Sequence, residues 1–288
     1  MTEWRLSPKR RLPKRWKKSD VPPGQTAVRI TIEDLTPPSQ SWYLDPLVAQ
    51  QKGAIFLDWI LRSIGTRIAE DVLKTDVFEE ANGQDRILDT MFPAARHKVG
   101  IDIEQATVHK AQRIGGGFLC LCADCRALPF PSDSFDVVVS TSTLDHFDVP
   151  EDLPRSLKEL TRVVRPGGTL LVILDNPYNP LYHPLYHPLK WITRRGLSPF
   201  RLGHTISRRR LASELRSAGM EIQGMEYLIH NPRLISTAVY LCLRRVLGQR
   251  ADLVIRFLLA SCELLNRLPT RGLTGCFGAV SARKPGPR

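Results

Sequence analysis

Along the middle of the chain, short unbroken apolar runs alternate with amphipathic segments. The runs in "DVLKTDV", "KVGIDIE", "GFLCLCAD", "FDVVVSTST" and "TLLVILD" predict strands with both faces covered, because a few apolar residues bounded by turn formers leave no polar face. Between them, "QDRILDTMF", "ATVHKAQRI" and "EDLPRSLKELTRVV" predict helices. Such strands alternating with helices pack as a parallel sheet with helices on both faces, an α/β fold. Ahead of this block, residues 45–65 place apolar positions at helical spacing and predict a helix capping the domain. After Asp175 the pattern breaks. "NPYNPLYHPLYHPLK" holds four prolines and repeats "LYHP" at 181–184 and 185–188. Proline at this density excludes a helix and a central strand, so a loop is expected beyond the preceding strand's end. A helix ("SRRRLASELRSAGM"), a strand ("EIQGMEYLI"), a long helical segment over about 233–268 and a last strand ("GCFGAVSARK") complete the chain. The expected organisation is a basic, Pro-rich mobile arm at 1–40 and one domain at 41–288, with the cap helix at 45–65 and a helical insertion at 233–268.

Composition narrows the classes. At 288 residues, 42% of them hydrophobic, the chain can bury a substantial core. The basic N-terminus lacks the apolar segment of a secretory signal, and no stretch reaches the ~18 apolar residues of a membrane span. Cys120, Cys122 and Cys125 cluster, but no nearby histidine completes a zinc site, so buried small residues are expected and no metal. Six cysteines of this kind suit a reducing, cytoplasmic setting. The net charge of +12 is concentrated: eight Lys and Arg lie within 1–18, and another basic run spans 190–216. Such blocks suit an anionic surface, membrane or nucleic acid, or else form a solvated tail. Peripheral membrane contact therefore stays open. Nucleic acid is disfavoured, because no basic-and-aromatic face or RNA-binding module is evident.

Candidate chemistry lies at the strand ends. Asp102, in "VGIDIE", can accept hydrogen bonds from both hydroxyls of a ribose. Asp124, in "CADCRALPF", can accept from an exocyclic adenine amine, with Leu128 and Phe130 as apolar walls. The blocks "ALPFPSDSFDVVVSTSTLDHF" and "SLKELTRVVRPGGTLLVI" resemble the class I S-adenosylmethionine-dependent methyltransferases, in particular the broad quinone, sterol and polyketide group. The resemblance runs from about Val72 to Asp175. It implies a Rossmann-like methyltransferase fold, with a mostly parallel seven-stranded sheet and an antiparallel last strand, and S-adenosyl-L-methionine as cofactor.

In that family the first strand ends in a glycine-rich loop under the methionine part of the cofactor. Here "VLKTDVFEEANG" supplies Lys74, Thr75, Asp76, Glu79 and Glu80 instead, and only Gly83 remains. "RILDT" at 86–90 looks like an alternative first strand, but about eight residues then separate it from the next one, fewer than the ~10–12 a crossover helix needs. The first strand is therefore expected at 72–77 and "RILDT" in the following helix. Asp76, Glu79 or Glu80 would then meet the cofactor's α-ammonium, or be solvated turn residues. The expected cofactor set is Asp76, Gly83, Asp102, Ile103, Asp124, Cys125, Ser140 and Thr141. Should the acceptor have to lose a proton, His146, just after the fourth strand, is the leading base, followed by His183 and His187 in the repeated loop. Phe78, Tyr178, Tyr182 and Tyr186 suit a small apolar or aromatic acceptor. An RNA-directed enzyme and a catalytically inactive partner subunit are the alternatives.

Overall fold

The computed structural model describes residues 46–66, 69–82, 86–180 and 203–286. The basic arm at 1–40, Gly83, and the loop bearing Tyr182, His183, Tyr186 and His187 lie outside the described residues.

Helix α1 (Pro46–Ile64) lays Phe56, Trp59, Ile60 and Ile64 on one stripe and buries it. It ends at Gly65, whose φ of +66° is the left-handed conformation that closes a helix at low steric cost. Strand β1 (Asp71–Lys74) is followed by the short helices α2 (Phe78–Asn82) and α3 (Ile87–Met91). Then come β2 (His97–Asp102), α4 (Gln105–Ile114), β3 (Leu119–Cys122), β4 (Phe135–Thr141), α5 (Asp152–Val163) and β5 (Val164–Asp175). The C-terminal part holds α6 (Arg208–Ser217), β6 (Glu221–Leu228), α7 (Arg233–Leu247), α8 (Ala251–Glu263) and β7 (Phe277–Arg283).

The seven strands form one sheet in the order β3-β2-β1-β4-β5-β7-β6. The pairs from β3 to β5 are parallel, and β7 runs antiparallel to both of its neighbours. This is the expected Rossmann-like methyltransferase fold. Alternate strand residues feed two cores. Val72, Val137, Val139, Leu171 and Ile173 face α1, α3 and α4. Leu73, Val99, Val138, Leu170 and Val172 face α5 and α6.

One of these expectations is corrected. β1 ends at Lys74 rather than at residue 77, because Thr75 and Asp76 already turn toward α2. Within the helical segment over 233–268, the two stretches "LISTAVYLCLRRVLG" and "LVIRFLLASCELL" read as two helices, and the structure has α7 and α8 there, parted at Gly248 (φ +57°) and folded against each other. "RILDT" is not a strand: Ile87–Met91 is helical.

Strand order reverses between β1 and β4, the point at which open α/β sheets bind ligands beyond the strands' carboxyl ends. Lys74, Asp102, Cys122, Thr141, Asp175 and Leu228 end their strands at this edge, and β7 starts there, with Phe277 opposite both Asp175 and Leu228.

Candidate active site

At the end of β1 stands a buried ion cluster in place of a glycine-rich loop. Lys74 is fully buried, and its Nζ donates to Glu79 Oε2 and Glu80 Oε2, each at 2.8 Å, and to the carbonyl of Asp76. Burial alone would depress the Lys74 pKa, but the charges of Glu79 and Glu80 outweigh it and hold the ammonium well above its ordinary range. Glu79 also accepts from Lys52 of α1 at 2.9 Å, and Glu80 Oε1 accepts from the Leu88 backbone N–H. Both glutamates are thus buried and engaged by the protein. This corrects both readings of them, as partners of a ligand ammonium and as solvated turn residues.

Asp76 differs. It is half-buried, and its Oδ1 accepts from the Phe78 N–H at 2.7 Å. Desolvation, followed by the charge of Glu79, pushes its carboxyl up to about 7 against the pull of Lys74. The next strand end adjoins it, since the Val77 N–H points at Asp102 Oδ2 at 3.4 Å. A Cβ on Gly100 would lie 2.3 Å from Val77 Cγ1. The glycine that lets the turn pack closely is therefore on β2, not in the loop.

Asp102 is also half-buried and accepts from the Glu104 N–H at 2.8 Å, and burial raises its pKa. Beside it Ile103 is 65% exposed, an apolar ledge at a polar strand end. Asp124 is tied to Arg126, which donates from its backbone N–H and its guanidinium at 2.6–3.0 Å. Burial would raise the Asp124 pKa, but these bonds hold it below the ordinary value. The Cys125 thiol is buried against Ser156 Oγ (3.8 Å) and pushed up to about 11, mainly by burial. Cys122 is exposed rather than buried, and among the described residues no three metal-ligating side chains come together.

The end of β4 is rich in hydroxyls. Ser140, fully buried, accepts from Thr75 Oγ1 at 3.0 Å, and the Thr75 and Thr143 hydroxyls are also 3.0 Å apart. The Ser140 hydroxyl thus links strand ends. Three further polar atoms here are buried without a hydrogen-bond partner among the described residues: Thr141 Oγ1, Ser142 Oγ and Asp145 Oδ1. Ser142 also holds a positive φ of 49°. Such orphans are rare in native folds and collect where a ligand completes the bonding.

His146 is exposed, whereas its neighbour Asp145, which pattern reading passed over, is 1% exposed. Asp145 Oδ2 accepts from the Asp175 N–H at 2.6 Å. Burial, then the Asp175 charge, pushes its carboxyl up to about 6. A folded-state pKa above the unfolded value means that this group stabilises the fold fully below pH ~4 and loses that contribution as pH rises to about 6. Asp145→Asn keeps an acceptor for the Asp175 N–H but never ionises. It is expected to raise stability at pH 7.5 by about 1–3 kcal/mol and to flatten the fall between pH 4 and 6. Urea unfolding of both proteins across that range checks this; equal destabilisation at every pH would contradict it.

These residues meet the needs of a nucleoside cofactor bearing an ammonium. Asp102 could offer acceptors for a vicinal diol, Ile103 an apolar rest for a base, and the adjacent Asp76 a carboxylate that feels the charge of Lys74 but has no ion-pair contact among the described residues. Asp124 has only its remaining lone pairs to offer.

Over part of its length the chain is similar to known methyltransferases. Residues 80–172, about a third of the chain, match the family model described as "Methyltransferase domain". A malonyl-[acyl-carrier protein] O-methyltransferase of Halorhodospira halophila is 45% identical over 58 residues, 20% of this chain and 19% of that protein. A protein of Mycolicibacterium smegmatis described as a probable S-adenosylmethionine-dependent methyltransferase is 31% identical over 110 residues, 38% of this chain and 42% of the other. The matches thus span only about a fifth to two fifths of these curated relatives. Among solved structures, an S-adenosylmethionine-dependent methyltransferase from Mesorhizobium loti superposes with a TM-score of 0.52 at 18% identity, over 79% of this chain and 98% of that one, a likeness of fold.

Proposed function

Since the chain carries a class I S-adenosylmethionine-dependent methyltransferase domain, we propose that the protein is a methyltransferase acting on a small acceptor that is apolar or aromatic. The observation that carries the reading is the pair of neighbouring acids at the strands' carboxyl edge: Asp76, which accepts from the Phe78 N–H, and Asp102, which accepts from the Val77 N–H next to Asp76. When bound, S-adenosylmethionine supplies a methyl group already activated on a sulfonium. The protein's share is therefore to hold, orient and desolvate. Asp102 would accept from the ribose hydroxyls, Ile103 would support the adenine, and Asp76 would pair with the α-ammonium.

The acceptor would lie at the end of β4, where the orphaned Thr141 and Ser142 hydroxyls and Asp145 Oδ1 can bond to a polar atom of an otherwise apolar molecule. Phe78 and Tyr178, both exposed at the same edge, supply aromatic surface. Asp145, with its raised pKa, is better placed than the exposed His146 to take a proton from a desolvated acceptor. An apolar acceptor of this kind could be delivered from a membrane.

Titration calorimetry with S-adenosylmethionine tests it. The wild-type protein is expected to bind. Asp102→Ala, which removes charge-assisted bonds worth roughly 1.5–3 kcal/mol each, is expected to bind at least about tenfold more weakly while remaining folded. Unchanged affinity in the folded variant would remove Asp102 from the site. The second reading, an inactive methyltransferase-like subunit, draws on the ion cluster that replaces the glycine-rich loop. A wild-type protein that binds no cofactor would favour it.

A further inference from the structure

The segment between β6 and β7, residues 233–274, leaves the sheet at Leu228 and returns at Phe277, so both its ends lie at the carboxyl edge that holds the candidate site. Within it α8 is apolar on two opposite sides. Ala251, Ile255 and Leu259 are buried against Leu47 of α1 and Tyr240 of α7. Half a turn away around the helix, Leu253 is 78% exposed and Phe257 70%, and on α7 Val246 is 79% exposed. A helix at a protein surface normally turns a polar face outward, so a second apolar stripe needs a partner.

Charge identifies the partner. The segment carries seven arginines against two acids, Asp252 and Glu263. Asp252 is paired with Arg244 at 2.8 Å, and Glu263 accepts from the His230 backbone N–H. Arg245, Arg250 and Arg256 are exposed around the apolar stripe. Two copies of this face would oppose arginines to arginines with no acid left to pair them. An anionic bilayer answers both features, taking the apolar side chains into its interface and the guanidinium groups among its phosphates. None of the described helices is long and apolar enough to cross a membrane, so α8 would lie on the surface.

We propose that the outer face of the α7–α8 hairpin docks the protein on an anionic lipid bilayer, with the mouth of the candidate site beside the membrane. Its use, the uptake of an apolar acceptor from the bilayer, rests on the methyl-transfer reading; the docking does not.

Sedimentation of the full chain with vesicles tests this, using phosphatidylcholine alone and phosphatidylcholine with phosphatidylglycerol. The wild-type protein is expected to pellet with the anionic vesicles at low salt, less so at high salt, and not with phosphatidylcholine alone. Arg245→Gln, Arg250→Gln and Arg256→Gln are expected to weaken binding by on the order of fivefold each. Leu253→Ser with Phe257→Ser is expected to weaken it by at least about tenfold with the circular dichroism spectrum unchanged. Failure to pellet under any condition overturns the proposal. So does pelleting that both sets of variants leave intact, which would assign binding to the basic arm. Wild-type dimers in sedimentation velocity that Leu253→Ser with Phe257→Ser abolishes, without vesicle binding, would assign the face to a second copy and equally overturn it. Calorimetry with S-adenosylmethionine on the same variants stays independent, so a failure of docking and a failure of the methyltransferase reading are told apart.

Discussion

Lys74→Met is expected to cost about 3–5 kcal/mol of folding stability, a large share of the roughly 5–15 kcal/mol that holds a domain together. Methionine fills nearly the same volume, so little packing is lost. What goes is the cation between Glu79 and Glu80, both buried, and a buried carboxylate without a partner is far costlier than a broken surface pair. Glu79 keeps Lys52, but Glu80 keeps, among the described residues, only the Leu88 N–H. The sign of the pH dependence identifies the cause. In the variant an orphaned carboxylate has a raised folded-state pKa, so the deficit should shrink as pH falls and the carboxylate becomes protonated. Adding Glu80→Gln should recover much of the loss at neutral pH. Urea midpoints at pH 7.5 and pH 5 check both points. A deficit that is the same at both pH values and untouched by Glu80→Gln would mean that the cluster contributes packing rather than charge.

The same cluster marks where pattern reading stops. The sheet was legible because its strands are continuous runs such as "DVVV" and "LLVI", which have no other way to be buried. "RILDT" is legible as helix because chain length, a constraint that holds whatever the side chains do, leaves no room for a crossover after it, and Ile87–Met91 is helical. Lys74 was not legible, since a lysine at a strand end reads as the start of a loop. Its burial depends on two glutamates brought back by the five-residue helix α2, a compensation made in three dimensions. The sequence signal was a lysine at a strand's end with two consecutive acids five and six residues on. Asp145 was hidden differently. In "LDH" the histidine is the conspicuous chemical group, and only packing reveals that the aspartate points inward and the histidine outward. Cys122 was expected to be buried because it continues an apolar run, but the run outlasts the covered part of β3.

At the candidate site the largest effect is expected from Asp76. If this carboxylate pairs with the α-ammonium of S-adenosylmethionine, Asp76→Asn removes one partner of a desolvated charge pair. That costs 2 kcal/mol or more, a loss in affinity of about 30-fold or greater. The pH profile carries the sharper signature. In the free protein the carboxyl titrates near 7, and pairing with a cation would hold it ionised well below that. Affinity should therefore be full above pH 7 and fall by up to about tenfold per pH unit below it, until the bound form also protonates. The ligand's α-ammonium, near ~8 in model compounds, closes the window from the alkaline side. The wild-type profile should thus peak close to neutrality, and in Asp76→Asn the acid limb should disappear. Calorimetry in two buffers of different ionisation enthalpy adds a direct count: near pH 7 wild-type binding should release a fraction of a proton from Asp76, and the variant none from that position. An acid limb that persists in Asp76→Asn would assign the titration to another group. Unchanged affinity in the variant would leave the ammonium to the backbone of the turn, and Asp76 would then serve only to cap α2 through the Phe78 N–H.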